Sequence, residues 1–340
     1  MIKIAAFTQG LNIPSARFRI RQLIPEFAAR NLKIEEYPST HGAYPPASRI
    51  RRPFWLGAEL CSRYVQLRKA READLSILQR ELISTLPTIE GLSKGPRILD
   101  IDDSIWLYRR GLAANNLGRL ADHIVCGNNF LAEYFEKFGR PITIIPTAVD
   151  VNKFKPLAQE NKKFRIIGWS GTSGGYEYFH NIEGNLGELL ERNQDWKLRI
   201  VSDRPPPFKR IPYRQLEFIP WSVENEASSI AEMDIGLMPL DDNLWSRGKC
   251  SYKMLLYMSS GVPVVASDIG MNSDLLRMAP IGVGVSSDDG WMDGITSLIE
   301  NDSQREKFGL NGRQLVEQNF SLEQVARQWS GVVSSLLPIR

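Results

Sequence analysis

The sequence predicts an α/β fold in which two doubly wound domains, each built on a parallel sheet, face a cleft. Short apolar segments alternate with segments of helical periodicity along the chain, which is typical of parallel sheets covered by helices. The alternation stops at 146–163, a polar, proline-containing stretch typical of a linker, and then restarts. A chain of 340 residues is also long enough for two domains.

Composition and charge narrow the classes of function. The 42 basic and 39 acidic residues leave a formal charge of +3, so no nucleic-acid partner is expected. The three cysteines show no CxxC spacing and the three histidines do not cluster, so neither a disulfide framework nor a zinc site is implied. No apolar run could span a bilayer, and MIKIAAF enters a strand without a signal-peptide pattern. We therefore expect a cytoplasmic protein.

The first domain is predicted at 1–150 and opens with a strand, a turn at Gly10 and a helix at Ala16–Arg30, as nucleotide-type α/β units do. About six strands are expected before residue 146, and those with readable bounds are Ile2–Phe7, Leu75–Leu78, Arg97–Ile101, His123–Cys126 and Ile142–Ile145. Further helices are expected at Phe54–Glu72, near Leu86–Leu92 and up to Phe138. No GxGxxG motif is present, so a dinucleotide fingerprint is not supported.

Basic residues lie early in the first helix. Arg17, Arg19 and Arg21 occupy its first turns, where acidic residues are usually preferred. Their mutual repulsion hints at an anionic ligand near Gly10 and Ser15. Arginines that are simply solvated are the alternative.

The helix predicted at 54–72 has an apolar, aromatic side and several basic residues. The apolar residues are Trp55, Leu56, Leu60, Tyr64 and Leu67, and the basic ones are Arg63, Arg68, Lys69 and Arg71. Such a face could rest on an anionic membrane surface. The alternative is a helix that covers a sheet.

Charged residues follow two strands of the first domain. Arg80 comes after Leu75–Leu78, and Asp102 and Asp103 come after Arg97–Ile101, at the edge where ligands bind in open α/β sheets. Neighbouring side chains on an extended segment point to opposite faces, so the D-I-D-D cluster indicates a metal site only weakly. A base or hydroxyl-binding role for one aspartate and a helix N-cap role are the alternatives.

The second domain is predicted at 151–320, followed by an amphipathic helix within 321–340 that packs back across the domains. Its strands are expected at Phe164–Trp169, Lys197–Val201, Gln215–Ile219, Ile235–Met238, Val262–Ala266 and Ile281–Val285. Its helices are expected at Tyr178–Arg192, Glu224–Ala231, Tyr252–Ser259 and Trp291–Glu300.

Two loops of the second domain are candidates for binding phosphate. The small-residue turn at 170–175 follows a strand and would let a ligand approach the backbone closely. The basic loop at 246–251 precedes the helix Tyr252–Ser259, where side-chain cations, backbone N–H groups and the positive end of the helix dipole would meet. A solvated basic turn before a core helix is the alternative.

The two motifs IIPTAVDVNKF and GKCSYKMLLYMSSGVPVVASDIG resemble those of the retaining glycosyltransferases of the GT-B fold, family 4 in particular. In the first motif, Ile145, Pro146, Val149, Asp150 and Phe154 match the family pattern. In the second, Met258, Gly261, Pro263, Val264, Val265, Ala266 and Ser267 match. The resemblance covers the second half of the chain well and the first half only by architecture.

The chain departs from the family in two respects. The family commonly carries two glutamates eight positions apart, which align here with Gly248 and Leu256. It also carries an Arg and a Lys after the first strand of the second half, where this chain has SGTSGGYEYF. Arg247, Lys249 and Lys253 would then bind the diphosphate. Lys249 and Lys253 share one helix face only if the helix begins by Lys249.

The resemblance implies transfer of a sugar from a nucleoside-diphosphate donor to a glycan or lipid-linked acceptor, with retention and without a metal or other cofactor. The residues assigned to catalysis are Arg247, Lys249, Lys253, Asp102 and Asp103. The donor would be bound by Gly171, Thr172, Ser173, Gly174, Ser251, Tyr252 and Asn272. The acceptor side would include Gly10, Ser15, Arg17, Arg19 and Arg80.

Other functions remain open from the residues alone. A nucleotide-sugar 2-epimerase shares the two-domain architecture, and a non-catalytic sugar-binding relative would fit the missing glutamates. A dehydrogenase is disfavoured by the missing glycine fingerprint. His41, His123 and His180 match no catalytic pattern and are expected to be structural.

Overall fold

A computed structural model of the chain describes residues 1–11, 13–42, 44–157 and 164–337. It divides into two compact units. The first contains Met1–Ala148, Gly248–Cys250 and the C-terminal residues from Leu322, and the second contains Val149–Arg247 and Ser251–Ser321. Of the predicted linker at 146–163, residues 158–163 lie outside the described part of the chain.

The first unit is built on a six-stranded parallel sheet in the order β2-β1-β3-β4-β5-β6. Its strands are β1 (Ile2–Thr8), β2 (Leu32–Pro38), β3 (Leu75–Gln79), β4 (Arg97–Ile101), β5 (His123–Cys126) and β6 (Ile142–Ile144). The helices between them are α1 (Ile24–Ala28), α2 (Arg52–Lys69), α3 (Leu112–Leu120) and α4 (Asn129–Glu136). Because the strands are parallel, their carboxyl ends form one edge, which carries the polar residues of the site.

Three predictions for the first unit need correction. The strand β2 was not bounded by the sequence patterns, since two glutamates interrupt its apolar alternation and its Pro38 was assigned to a loop. The helix predicted near Leu86–Leu92 is only a short 3-10 turn at Glu90–Leu92. The helix predicted at Ala16–Arg30 begins as a π-helical turn at Ala16–Ile20, passes through a 3-10 turn and becomes α1 only at Ile24.

The second unit repeats this architecture with a six-stranded parallel sheet in the order β12-β11-β10-β7-β8-β9. Its strands are β7 (Arg165–Ser170), β8 (Trp196–Ser202), β9 (Leu216–Pro220), β10 (Ile235–Met238), β11 (Val264–Ser267) and β12 (Gly282–Val285). Its helices are α5 (Glu183–Arg192), α6 (Glu226–Ala231), α7 (Leu244–Arg247), α8 (Tyr252–Ser259), α9 (Gly270–Met278), α10 (Gly290–Ile299) and α11 (Asp302–Asn319). The predicted class of two parallel-sheet α/β domains is confirmed.

The last helix, α12 (Leu322–Leu336), belongs to the first unit. Its Trp329 is buried and meets Phe27 of α1 edge-on, with 6.4 Å between the ring centroids. The chain therefore returns to the first unit after it completes the second. Because a buried tryptophan removes a large apolar area from water, α12 contributes substantially to the core of the first unit.

No helix among the described residues is both long enough and apolar enough to span a bilayer.

Candidate functional site

The helix α8 lies against the start of the glycine-rich loop that follows β7. The Tyr257 hydroxyl accepts a hydrogen bond from the Ser170 N–H at 2.8 Å. Tyr257 is fully buried, and burial raises the pKa of its hydroxyl. This bond connects the middle of α8 to the last residue of β7. It therefore fixes the position of the helix at the carboxyl edge of the second sheet.

Lys253, in the first turn of α8, lies between an aromatic ring and the glycine loop. Its Nζ is 4.6 Å from the centroid of the buried Trp169 ring. A Cβ added to Gly171 would lie 2.6 Å from Lys253 Cε and 2.7 Å from its Nζ. The absence of a side chain at Gly171 therefore makes room for the ammonium group, and the aromatic face attracts it.

Two further features concern the Trp169 ring beside this loop. A Cβ at Gly175 would lie 2.6 Å from the Trp169 ring. The Trp169 Nε1 is buried and has no hydrogen-bond partner among the described residues. Trp169 was not among the predicted site residues, because a tryptophan at a strand end carries no local signal for ligand binding.

The carboxylate of Asp203, which follows β8, binds the glycine loop. Asp203 accepts hydrogen bonds from the Ser173 N–H at 2.6 Å and from its hydroxyl at 3.0 Å. The Ser173 N–H holds the pKa of this carboxyl below its usual value. Ser173 is thus bound to a protein acceptor, whereas Thr172 and Gly174 shape the turn beside it.

Arg247, predicted as a catalytic cation, forms an ion pair on the surface. It ends the short helix α7 and binds Asp242 through two hydrogen bonds of 2.6 and 2.9 Å. Both side chains are about half exposed, at 48% and 53%. This ion pair neutralises much of the positive charge of Arg247, which was predicted to bind the diphosphate.

Ser251 and Asn272, predicted to bind the donor, are buried and bound to each other. The Ser251 hydroxyl donates to Asn272 Oδ1 at 2.6 Å, and the Asn272 amide donates to the Ser267 carbonyl at 3.1 Å. Ser251 adopts a left-handed backbone conformation with φ of 47° and does not cap α8 through its side chain. In this arrangement the two residues position the entry to α8, which begins at Tyr252.

The segment Gly248–Cys250 belongs to the first unit, although the chain on both sides of it belongs to the second. Asn128 donates to the Lys249 carbonyl at 3.0 Å, and Cys250 Sγ donates to the Asp102 carbonyl at 3.3 Å. A Cβ at Gly127 would lie 2.2 Å from Cys250 Sγ. These contacts place the segment beyond the carboxyl ends of β4 and β5.

This assignment corrects one expectation about the predicted cations. Helix α8 begins at Tyr252, so Lys249 is outside it and does not share a helix face with Lys253. Lys249 is instead close enough to Asp103 to favour the ionised form of that carboxyl. The three predicted cations therefore divide between the units, with Lys249 in the first and Arg247 and Lys253 in the second.

Arg80 binds both aspartates that follow β4. Its Nε donates to Asp102 Oδ1 at 2.7 Å, and its terminal nitrogen donates to Asp103 Oδ2. The expectation that the two carboxylates point to opposite faces is wrong, because β4 ends at Ile101 and the chain turns there. Neither aspartate caps a helix, and both are committed to the guanidinium. A catalytic role for Asp102 or Asp103 therefore stays a prediction, in which the carboxylate would act beside the Arg80 guanidinium.

Burial and charge act in opposite directions on Asp103. Burial is the larger effect and raises the pKa of its carboxyl, while Arg80 lowers it. Arg80 itself has φ of 61°, a left-handed conformation that costs free energy in a residue with a side chain. The ion pairs around it give this strained residue its fixed position.

Arg19, predicted on the acceptor side, is buried in the first unit and bound by protein groups. Its Nε lies 2.9 and 3.0 Å from the two oxygens of Asp100, which is also buried. Its terminal nitrogens donate to the Ile145 carbonyl at 3.0 Å and the Thr147 hydroxyl at 3.3 Å. Arg19 is therefore a structural residue, and neither predicted alternative, an anion ligand or a solvated arginine, describes it.

The other acceptor-side residues lie at the end of β1. Gly10 is buried with φ of 149°, and its carbonyl accepts from Arg21, which also pairs with Glu36. Ser15 precedes the π-helical turn without capping it, and the Arg17 guanidinium lies 4.7 Å from the centroid of the Phe18 ring. Asn12, in the same loop, lies outside the described residues.

Among the described residues, no group of three or more His, Cys, Asp and Glu side chains could hold a metal ion. His123, one of the three histidines, is buried and its Nε2 lies 2.9 Å from the Thr143 hydroxyl. Burial lowers the pKa of its imidazole.

Comparisons with known proteins bear on both units. Residues 175–301 match the family model described as glycosyl transferases group 1. Sucrose-phosphate synthase from Thermosynechococcus elongatus has a TM-score of 0.70 at 13% identity, over 99% of each chain. Anabaena HepE in complex with UDP and glucose has a TM-score of 0.71 at 13% identity, over 99% of this chain and 100% of its own. The resemblance to the group 1 glycosyltransferases of the GT-B fold is confirmed.

Another solved structure of this fold is WaaG, a glycosyltransferase involved in lipopolysaccharide biosynthesis. It has a TM-score of 0.69 at 12% identity, over 98% of this chain and 99% of its own. Identities this low show only that the fold is shared. The substrates of this chain have to be inferred from its own residues. A search of curated protein sequences finds no significant match.

The departure from the resemblance at the two glutamate positions has a structural counterpart. A Cβ at Gly248 would lie 2.0 Å from the Ser104 hydroxyl and 3.0 Å from its backbone nitrogen. Leu256 is buried in α8, with 2% of its surface exposed. A side chain at Gly248 would therefore overlap Ser104, and a glutamate at position 256 would bury its carboxylate.

Proposed function

We propose that the chain is a glycosyltransferase that moves a sugar from a nucleoside-diphosphate donor to a glycan or lipid-linked acceptor. The observation that carries this proposal is the position of Lys253, fixed between Trp169 and Gly171 at the carboxyl edge of the second sheet. This unit contains the family match, and HepE, which shares the fold, has been solved with UDP-glucose.

The proposed chemistry follows from where charge develops. Cleavage of a sugar–diphosphate bond leaves negative charge on the β-phosphate and an oxocarbenium-like sugar. Lys253 and the N-terminus of α8 would stabilise that charge, and the backbone of Gly171–Gly174 would approach the phosphates. Because Trp169 and Gly171 hold the ammonium group in advance, little reorganisation is needed as the bond breaks.

The remaining predicted residues have secondary parts in the proposal. Lys249 is kept as a proposed catalytic cation, and Arg247 could bind the diphosphate only by exchanging Asp242 for the ligand. Arg80 is positioned by Asp102 and Asp103 on the acceptor side, with Gly10, Ser15 and Arg17 on the same sheet edge. Ser251 and Asn272 position the start of α8, where Tyr252 and Lys253 would meet the donor.

Metal independence, retention and the absence of a cofactor are also part of the proposal. Lysine and helix-dipole charge would take the place of a metal ion at the leaving group. Activity should then persist in a chelating buffer, and the product should keep the anomeric configuration of the donor. Loss of activity on chelation, restored by one divalent cation, would contradict the first statement, and an inverted product the second.

Peripheral contact with the cytoplasmic face of a membrane, through 54–72 as the sequence suggests, belongs to the proposal because a lipid-linked acceptor is confined to the bilayer.

The test begins with the donor. Thermal-shift measurements with uridine, guanosine and adenosine diphosphates and their sugars should show stabilisation by one nucleotide class. Donor hydrolysis is then compared for the native protein and Lys253→Ala, which should lose about 2–4 kcal/mol of transition-state stabilisation. A loss of less than tenfold would remove Lys253 from catalysis.

Lys197→Ala is a matched control for this change. Lys197 also lies over an aromatic ring, 4.2 Å from the centroid of Phe164, but it is at the amino end of β8. Its replacement should leave hydrolysis unchanged.

The packed positions Gly248 and Leu256 favour one second candidate, a nucleotide-sugar-binding protein that does not turn over. It would show the same thermal shift with a nucleotide sugar and no hydrolysis or transfer with any acceptor.

A further inference from the structure

Helix α2 turns a charged, buried face toward its own unit. Glu59, Arg63 and Leu67 are all buried, and Arg63 donates to the carbonyls of Thr8 and Tyr37 at the ends of β1 and β2. The helix is therefore anchored to the first sheet through Arg63. Of the predicted apolar residues, Trp55, Leu56 and Leu60 are half-buried and Leu67 is buried on this side, whereas Tyr64 is 46% exposed.

The opposite side of α2 carries a different apolar stripe, which is exposed along the whole helix. Ile50, in the 3-10 turn that leads into α2, is 81% exposed, and Phe54 is 79% exposed. Val65, three turns further on, is 51% exposed, and Cys61 between them is exposed too. At 100° per residue, positions 50, 54, 61 and 65 fall on one side of a helix. We call these four residues the outer stripe.

Exposed cations flank the outer stripe at both ends. Arg49, Arg51 and Arg52 precede Phe54, and Arg68, Lys69 and Arg71 follow Val65. None of these six residues forms an ion pair within the described part of the chain. Glu72 is the only exposed carboxylate between 49 and 72, because Glu59 is buried. The surface therefore combines large exposed apolar side chains with a strong positive charge.

We propose that the outer stripe docks on an anionic phospholipid surface, with α2 lying in the plane of the interface. Apolar side chains of a surface helix enter the boundary between headgroups and acyl chains, and nearby arginines and lysines bind anionic headgroups. Charge complementarity selects the lipid surface over a second copy of this chain, since two such surfaces would repel each other.

The docking surface lies on the unit that also carries Arg80 and the proposed acceptor side. Tyr44, 62% exposed, precedes the 3-10 turn, and its hydroxyl is close enough to Tyr108 to help raise the pKa of that hydroxyl. Asp103, the partner of Arg80, contributes to the same pKa. The membrane surface would thus bring a lipid-linked acceptor next to Arg80. Docking deepens the membrane contact named in the proposed function and the position of the acceptor rests on that function, but the vesicle test needs neither donor nor acceptor.

The experiment measures binding of the full chain to vesicles of phosphatidylcholine with and without phosphatidylglycerol. The protein should sediment with the anionic vesicles only, and high salt should release it. Ile50→Ser/Phe54→Ser and Arg49→Glu/Arg51→Glu should each weaken binding by more than about tenfold. Tyr213→Ser/Leu310→Ser, which removes exposed apolar side chains of the second unit, should bind as the native protein does.

Binding that ignores lipid charge, or that survives both pairs of substitutions, would overturn the proposal. A stable dimer in solution that Ile50→Ser/Phe54→Ser dissociates would overturn it in favour of a second copy. Because the altered residues are exposed, melting temperatures should stay unchanged, which excludes unfolding as the cause. Donor hydrolysis in solution should also be unchanged in both variants, so a failure of docking is distinguishable from a failure of the proposed function.

Discussion

Lys253 and Trp169 form a cation–π pair in which 4.6 Å separates the ammonium nitrogen from the ring centroid. The two residues are 84 positions apart, and the pair joins the first turn of α8 to the end of β7. The aromatic face attracts the ammonium group and so helps to hold the charge of Lys253 at the carboxyl edge of the sheet. The glycine loop completes the arrangement, since any side chain at Gly171 would compete with Lys253 for space.

Gly171→Ala should therefore displace Lys253 and lower activity. Its new methyl group would lie within 3 Å of both Lys253 and Trp169. We expect donor hydrolysis to fall more than about tenfold, because misplacing one charge-assisted contact costs about 2 kcal/mol or more. Gly91→Ala is the control, since a Cβ added there would meet no atom within 4 Å and Gly91 is outside the proposed site. Equal activities of the two variants would show that the loop's close packing on Lys253 has no role.

Gly248→Ala should destabilise the first unit. The added Cβ would overlap Ser104, which is buried, and overpacking of this kind typically costs about 1–3 kcal/mol. Urea denaturation measures the change in the free energy of unfolding. Ser104→Gly in the same chain should recover part of the loss, because it removes the hydroxyl and Cβ that the new methyl meets. Gly331→Ala, with no atom within 4 Å of the new Cβ, should be neutral or stabilising. A neutral Gly248→Ala would contradict the close packing at Ser104.

The three cysteines should differ sharply in reactivity. Burial raises the pKa of the Cys126 thiol to about 12 and that of the Cys250 thiol well above its usual value, whereas Cys61 is exposed. Since the thiolate is the nucleophile, a disulfide reagent should modify only Cys61 in the folded protein and all three thiols after denaturation. The Cys61→Ser variant should show no fast reaction. Rapid modification of Cys250 in that variant would mean that the Gly248–Cys250 segment leaves its place readily.

Stability should fall as the pH drops below about 6.5, in part because of His123. Burial lowers the pKa of this imidazole in the folded state, so the folded protein binds fewer protons than the unfolded chain. The stability that His123 contributes is fully present above the pKa of its imidazole in the unfolded chain. It is lost as the pH falls toward the lower pKa of the imidazole in the folded protein, by at most about 1.4 kcal/mol per pH unit. The free energy of unfolding, measured across that range, should depend less on pH in His123→Gln. An unchanged dependence on pH in His123→Gln would contradict this account.

Local patterns were sufficient for most of the fold. Alternating apolar segments located the strands of the second sheet to within a few residues, and β10 at Ile235–Met238 was bounded correctly. The apolar periodicity of the last helix predicted its amphipathic face and its return to the rest of the chain. The strand β2 was not predicted, because Glu35 and Glu36 break its apolar alternation, although it pairs along its whole length with β1. Edge strands need less apolar surface than central ones, so their patterns are weaker.

The candidate site was predicted only where a residue type and its place in the chain carried the signal together. Lys253 before an apolar helix and Gly171 after a strand were identified in this way. Trp169 and Asp203 were missed, because their roles come from contacts with residues distant in sequence.

The sequence by itself determined two parallel-sheet α/β domains, the glycine loop and the basic segment before α8, since hydrogen-bonding periodicity and turn chemistry are local properties. Only the tertiary structure decided which charges are available. It committed Arg19 to Asp100, tied Arg80 to Asp102 and Asp103, and assigned Gly248–Cys250 to the first unit. The physical reason is that the electrostatic role of a side chain depends on its burial and on the partners that folding brings to it from elsewhere in the chain.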